Sequence, residues 1–247
     1  MSIESVIPTP NIFQAKKILC VQPHYDDNDI GAGGTLAKLH EVGAEIIYLT
    51  VTDDQMGVLD ITLSRQAAAL QLKYEQEQVG KIIGVNQQYW LDYPDAGQYD
   101  YYELRRNIIK YIRLLRPDLL FTPDPWLPYE VHRDHIQAGL ATAEASILFG
   151  LPRISSDPQV DATYRPYELL GVALYFTQAP NTAVDISQTH EKKAQAVRSY
   201  QAQFTSEDME MLLQILDAKE RFVAEGSSYT HAEALKVMHP LQLHCGL

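Results

Sequence analysis

Hydrophobic positions along this chain gather into short apolar runs separated by stretches with helical periodicity. The runs are KILCVQ (17–22), EIIYLTVT (45–52), QYWLDY (88–93), DLLFTPD (118–124) and LGVALYFT (170–177). Helical patterns fall between them, near Thr35 to Val42, Thr62 to Ile83, Tyr102 to Leu115 and Asp134 to Phe149. Strand and helix alternating in this way predict βαβ units and hence a parallel sheet. Gly43 and Gly84 stand where helix C-caps are wanted, and Pro117 follows the third helix as a stop signal. From Val184 onward the pattern is helical, with Ser206, ahead of Glu207 and Asp208, as an N-cap. The fold expected is α/β: a Rossmann-like, doubly wound, mostly parallel sheet flanked by helices, with a helical C-terminal region. No repeat or Ser/Gly-rich linker divides the chain, so residues 1–247 are taken as one domain. The stretch from Pro152 to Pro166 looks like a long loop, and long loops often belong to a site.

Charge changes the picture by excluding partners. Twenty Lys and Arg against 32 Asp and Glu leave a net charge of −12, which repels a phosphate backbone and argues against nucleic acid or an anionic membrane. No apolar stretch approaches the ~18 residues of a membrane span, and MSIESVIPTP lacks the basic and apolar regions of an export signal. A soluble, cytoplasmic protein is expected. Two cysteines are too few for a disulfide framework or a cysteine zinc cluster. Cys20 is read as a core residue, and the tail with His239, His244 and Cys245 as a chain end without a metal.

The candidate chemistry sits at the ends of two strand patterns. PHYDDNDIGAGG (23–34) follows the first run directly, where open parallel sheets bind their ligands. A dinucleotide fingerprint is excluded on two grounds. GAGG lacks the last glycine of G-x-G-x-x-G, and Asp26, Asp27 and Asp29 would face a pyrophosphate with like charge. Negative charge there suits a cation, with Gly31, Gly33 and Gly34 serving the turn and close helix packing. After the fourth run, VHRDH (131–135) places His132 and His135 three apart at the start of a helix, a spacing that brings both imidazoles to one face. His24, Asp27 and His135 then make a two-histidine, one-carboxylate set with an open position, as in catalytic zinc sites, with Asp26 and His132 flanking a bound water.

These residues carry a resemblance. The chain resembles the PIG-L/LmbE-type zinc-dependent N-deacetylases, whose motifs A/P-H-P-D-D-E and H-P-D-H stand here as Pro23-His24-Tyr25-Asp26-Asp27-Asn28 and His132-Arg133-Asp134-His135. It extends through LTVTDDQMG (49–57), LDYPDAG (91–97), RPDLLFTPDP (116–125) and KKAQAVRSYQAQF (192–204). It implies one Zn2+ per chain on His24, Asp27 and His135, with Asp26 as general base. It further implies that His132 stabilises or protonates the tetrahedral intermediate, that Asp134 orients His132, and that Asp95 touches sugar hydroxyls; by its charge alone, the Asp134 carboxylate is also expected to favour protonated His132. The activity implied is removal of an N-acetyl group from an N-acetylglucosamine-type sugar or glycoconjugate, by a homo-oligomer. Tyr25, Asn28, Asp54 and Gln55 depart from the family pattern and bear on substrate fit. Two other readings stay open: a zinc hydrolase of another amide or ester bond, and a non-catalytic sugar- or nucleotide-binding module.

Overall fold

A computed structural model describes residues 6–244. The five apolar runs become β1 (Lys17–Gln22), β2 (Glu45–Thr52), β3 (Val85–Tyr93), β4 (Leu119–Pro123) and β5 (Gly171–Tyr175). Helices α1 (Asp27–Glu41), α2 (Arg65–Ile83), α3 (Tyr101–Leu115), α4 (Arg133–Leu148) and the short α5 (Pro158–Thr163) connect them. Beyond β5 come β6 (Thr182–Asp185), α6 (His190–Val197), α7 (Ser206–Ala224) and β7 (Ala232–Met238). The strands form one sheet in the order β3-β2-β1-β4-β5-β7-β6. β1 to β5 run parallel, and β7 pairs antiparallel with both β5 and β6.

The runs are apolar throughout because both faces of the sheet are covered. Ile18, Cys20, Ile46, Tyr48, Leu119 and Phe121 face one core with α1 and α2. Their neighbours Leu19, Val21, Ile47, Leu49 and Leu120 face a second core under α3 and α4. Cys20 is fully buried, as expected of a small apolar residue. The strand order reverses between β1 and β4, which pair through Ile18 with Leu119, Leu19 with Leu120 and Cys20 with Phe121. The two chemistry-bearing segments leave the sheet side by side at this point.

The structure corrects the sequence reading in four places. First, the C-terminal region is not wholly helical, since β6 and β7 complete the sheet. AEALKVM (232–238) consists mostly of good helix formers, but a site between β5 and β6 imposes the strand, and tertiary pairing overrides propensity. Second, α1 starts at Asp27 and runs through the glycines, with a kink at Ala32. Gly31 and Gly34 therefore serve packing and not a turn: an added Cβ would lie 2.3 Å from the Tyr175 ring and 2.8 Å from Ile186. Third, Thr205 and not Ser206 caps α7, accepting a hydrogen bond from the Asp208 N–H at 3.1 Å.

Fourth, the segment from Pro152 to Pro166 is not part of the site. It follows the end of α4, about 24 Å of helix rise from His132, and leads into the start of β5. Arg113 ties it down by donating to the carbonyls of Leu151 and Ile154 and to Asp161. At the chain end His239 caps a 3-10 turn through the Leu241 N–H, while Cys245 lies outside the described residues.

Candidate metal centre at the carboxyl end of the sheet

The turn after β1 is fixed by the backbone of a single residue. The Tyr25 carbonyl accepts hydrogen bonds from Gln22 Nε2 (3.2 Å), Gln76 Nε2 (3.1 Å) and Tyr200 Oη (2.7 Å). The Tyr25 N–H donates to Asp54 Oδ2, and the Asn28 N–H to Gln22 Oε1. Asp29 accepts from the hydroxyls of Tyr48 and Tyr200 inside the core. Burial pushes its carboxyl up to about 7 despite those bonds. So Tyr25, Asn28 and Asp29 build the floor of the turn, leaving His24, Asp26 and Asp27 to line the cavity above it.

Asp27 joins the two halves of the site. Its Oδ2 accepts from the His24 N–H at 2.9 Å and lies 3.1 Å from His24 Nδ1, while its Oδ1 lies 3.3 Å from His135 Nε2. The nitrogens of His24, His132 and His135 also approach one another within 4.8 Å. A second set of mutually close ligand atoms is His24, Asp95, His132 and Asp134. Around these side chains is a cavity of about 500 Å³, lined in addition by Asp26, Asp54, Met56, Gln203 and Phe204.

Charge in this cavity is unbalanced. Burial alone would lower the basicity of His24, but the carboxylates of Asp134, Asp27 and Asp95 outweigh it and hold the imidazole protonated far above its usual range. Burial likewise opposes ionisation of Asp27, yet His135 and His24 bring its carboxyl down to about 2. For Asp26, burial together with the charges of Asp27 and Asp54 outweighs the opposing charge of His24 and pushes its carboxyl well up. Asp54 is pushed up to about 7, chiefly by burial. An excess of carboxylates around buried imidazoles is a cation site by its electrostatics.

Hydrogen bonding leads to the same conclusion. His24 Nε2 and His135 Nδ1 are buried without a hydrogen-bond partner, an arrangement that costs free energy. Asp95 Oδ1 is 3.4 Å from the former and Glu130 Oε2 3.4 Å from the latter, close but not aligned as acceptors. The donor set of two imidazoles and a carboxylate fits a divalent transition metal.

The remaining residues named from the sequence are placed as follows. Asp26 stands at the N-cap position of α1 but makes no side-chain cap bond, so its carboxylate is free for other work. His132 occupies the N-cap position of α4, also without a cap bond, with its side chain 44% exposed at the rim. Asp95 Oδ2 accepts from the Met56 N–H at 2.9 Å, and Asp95 also faces His24.

Asp134 does not hold His132. It accepts from the Ala96 N–H at 2.9 Å and the Tyr99 hydroxyl at 2.8 Å, and lies 3.9 Å from His132 Nδ1. Nor is the protonated form of His132 favoured here, because burial and the charges of His24 and His135 lower its pKa more than Asp134 raises it. Asp134 instead locks the Pro94–Gly97 turn to the start of α4.

Sequence reasoning named Asp54 only as a departure bearing on substrate fit, and passed over Glu130, Gln203 and Phe204. Asp54, two residues past β2, stands at the N-cap position of a 3-10 turn in left-handed backbone (φ 51°) and accepts from the Tyr25 N–H and Gln203 Nε2. Glu130 accepts from the His132 N–H at 2.7 Å and faces His135. A carboxylate one turn before a histidine pair was the available signal for Glu130. Gln203 and Phe204 reach the site only through tertiary structure.

Residues 19–146 match the family model described as GlcNAc-PI de-N-acetylase, PIG-L. The chain is also 36% identical to a diacetylchitobiose deacetylase of Thermococcus kodakarensis, over 93% of this chain and 85% of that one. This chain belongs to the PIG-L family. Among solved structures, the N,N'-diacetylchitobiose deacetylase of Pyrococcus horikoshii, bound to its inhibitor MPG, superposes with a TM-score of 0.87 at 37% identity, over 94% of this chain and 86% of that one. A 1D-myo-inositol 2-acetamido-2-deoxy-α-D-glucopyranoside deacetylase of Kineococcus radiotolerans is 28% identical over 55% of this chain and 46% of its own length. PIG-L deacetylases are generally metal-dependent, and the His24–Asp27–His135 cluster lies where the two halves of this PIG-L sheet meet. No helix among the described residues is long and apolar enough to cross a membrane.

Proposed function

We propose that this chain is a zinc-dependent hydrolase that removes the N-acetyl group from a small N-acetylglucosamine-type sugar conjugate. The observation that carries this reading is the buried Asp27 carboxylate shared by His24 and His135, beside the orphaned His24 Nε2 and in a cavity rich in carboxylates. His24, Asp27 and His135 would hold the metal. When bound, it supplies a Lewis acid for the acyl oxygen and lowers the pKa of its water.

The chain's own groups do the rest. Asp26, with its pKa raised and no cap bond to make, accepts the proton of the attacking water at its carboxylate and returns it to the leaving amine. His132, at the rim beside His24, donates to the developing oxyanion, a contact of a kind worth about 3–4 kcal/mol. Glu130 and Asp134 are positioning residues. The first steadies His135, and the second fixes the turn that carries Asp95. Asp95 faces the cavity from the end of β3 and meets the sugar hydroxyls.

The substrate is a neutral or singly charged glycoside, since an anionic chain repels a polyanion. Diacetylchitobiose fits, being what two of its relatives act on by name. A panel of GlcNAc, diacetylchitobiose, GlcNAc-malate, GlcNAc-inositol and a simple ester, assayed for free acetate and free amine, tests this. Amine release from sugar conjugates, with free GlcNAc poorer for want of remote binding energy, is the expected result. Ester cleavage without amine would assign the site to another acyl bond.

The reading includes a homo-oligomer. Trp126, Tyr129 and Val131, between β4 and α4, are 55%, 96% and 89% exposed beside the site, and self-association would cover them; light scattering of the purified chain decides. It also includes a cytoplasmic location, which imaging of the tagged chain checks.

A further inference from the structure

Phe204 stands between two cavities. The one around the candidate metal centre, of about 500 Å³, has Phe204 in its lining, and a second, of about 550 Å³, has Phe204 beside Tyr200, Met209 and Glu210. Among the described residues, Phe204 alone borders both. It also packs at once on the main core and on the smaller cluster of Val197, Met209 and Leu213 between α6 and α7. The side chain is therefore a partition with apolar support on either side.

The chain holds this partition still. Just before it, the Tyr200 hydroxyl donates to the Tyr25 carbonyl at 2.7 Å, the Ala202 carbonyl accepts from the Leu59 N–H at 2.9 Å, and Gln203 Nε2 donates to Asp54 at 2.8 Å. Just after it, Thr205 caps α7. Ile30 extends the same surface: it lies one helical turn past Asp27 on α1, packs on the same α6–α7 cluster and lines the first cavity. Met56, another apolar side chain in that lining, donates its N–H to Asp95 and so belongs to the end proposed for the sugar. At the metal end, Ile30 and Phe204 form an apolar wall among carboxylates and imidazoles. The methyl of an acetyl group is the one apolar part of an N-acetylated sugar at the reacting carbon, and it is stabilised by leaving water for such a wall.

We propose that Phe204 determines which acyl group this site accepts, an inference that rests on the N-deacetylase reading above. The acetyl methyl abuts the wall of Ile30 and Phe204. A longer chain meets a side chain that cannot move without losing its packing on both the main core and the α6–α7 cluster, and close-packed surroundings resist extra methylenes. Removal of the ring joins the two cavities and opens a channel past Tyr200 and Met209 for a butyryl or hexanoyl chain. Phe204 acts on substrate choice and takes no part in breaking the bond.

Zinc-loaded full-length protein, assayed for free amine from diacetylchitobiose and from its dibutyryl and dihexanoyl analogues, gives the acyl-length ratio. A methylene in an apolar pocket is worth roughly 10–200-fold, so the wild type should favour acetyl over butyryl by about 100-fold or more in kcat/KM. Phe204→Ala should bring the two within about tenfold, Phe204→Leu should fall between, and Met56→Ala should keep the wild-type ratio. Equal cleavage of acetyl and butyryl by the wild type, the wild-type ratio in a cooperatively melting Phe204→Ala protein, or an equal shift in Met56→Ala overturns the proposal; if Phe204→Ala does not fold, an unchanged ratio in Phe204→Leu does so. Calorimetric binding of alkyl hydroxamates, which chelate metal through their polar end, reads the same wall without turnover. The wild type should bind acetohydroxamate more tightly than hexanohydroxamate, and the Phe204 variants should narrow or reverse that order; tighter hexanohydroxamate binding by the wild type overturns the proposal. This order with no amine from any analogue would remove the N-deacetylase reading and support the wall.

Discussion

Replacing Asp26 with Asn should lower activity and raise stability together. The side chain is buried and makes no cap bond, so an amide of the same shape loses no cap. In the metal-free protein, burial and the charges of Asp27 and Asp54 raise the folded-state pKa well above its unfolded value. A carboxyl shifted upward destabilises the fold at every pH above its unfolded pKa, near 3.9, with the full cost reached above the folded value. Asn carries no charge and removes that cost. Each pKa unit of the shift corresponds to about 1.4 kcal/mol, so the metal-stripped Asp26→Asn protein should melt higher than wild type at pH 7 and equally at pH 3.

The catalytic loss runs the other way. A positioned general base contributes roughly 10²–10⁴ in rate, or about 2.7–5.5 kcal/mol of barrier. It should appear in kcat and kcat/KM alike, with KM little changed. Amine release from diacetylchitobiose by the metal-loaded variant, beside thermal scans of the stripped variant, measures both. Turnover within about threefold of wild type would refute Asp26 as the base. A fall in Tm alongside the fall in activity would refute the reasoning, because it would mark Asp26 as a structural residue.

His24→Ala, Asp27→Ala and His135→Ala should each lose metal together with activity, as elemental analysis of the purified variants measures; retention of a full equivalent by all three would remove the ligand assignment. Because carboxylates hold His24 protonated in the stripped protein, metal entry at neutral pH should release protons, visible as a dependence of the calorimetric binding enthalpy on the buffer's ionisation enthalpy. Lys193→Met leaves Glu220 and Glu233 buried without their cation, and chemical denaturation should show a loss of about 3–5 kcal/mol.

How much of this was legible in the sequence depended on where the cause lay. The parallel half of the sheet was readable because each of its runs is buried on both faces, so its apolar character is local. β7 was not, since AEALKVM becomes a strand only through partners far away in the chain. His24 and Asp27 could be grouped with His135 because they follow β1, and His135 opens the helix after β4, at the reversal of strand order where topology brings the two segments together. Asp134 was misjudged for the opposite reason. Neighbouring His132 in sequence says nothing about the Ala96 and Tyr99 donors that claim its oxygens. Gln203 and Phe204 are brought to the cavity by tertiary contacts that no spacing announces.

The central claim is that metal at His24, Asp27 and His135 makes this chain an N-deacetylase. Free amine released from diacetylchitobiose, followed with the protein as purified, after stripping by chelator and after return of Zn2+, tests it most directly. The account predicts amine and acetate in equal amounts, loss on stripping, and recovery with Zn2+ in the wild type but not in His135→Ala. Undiminished amine release by the stripped protein, or none from the zinc-restored wild type, would contradict it.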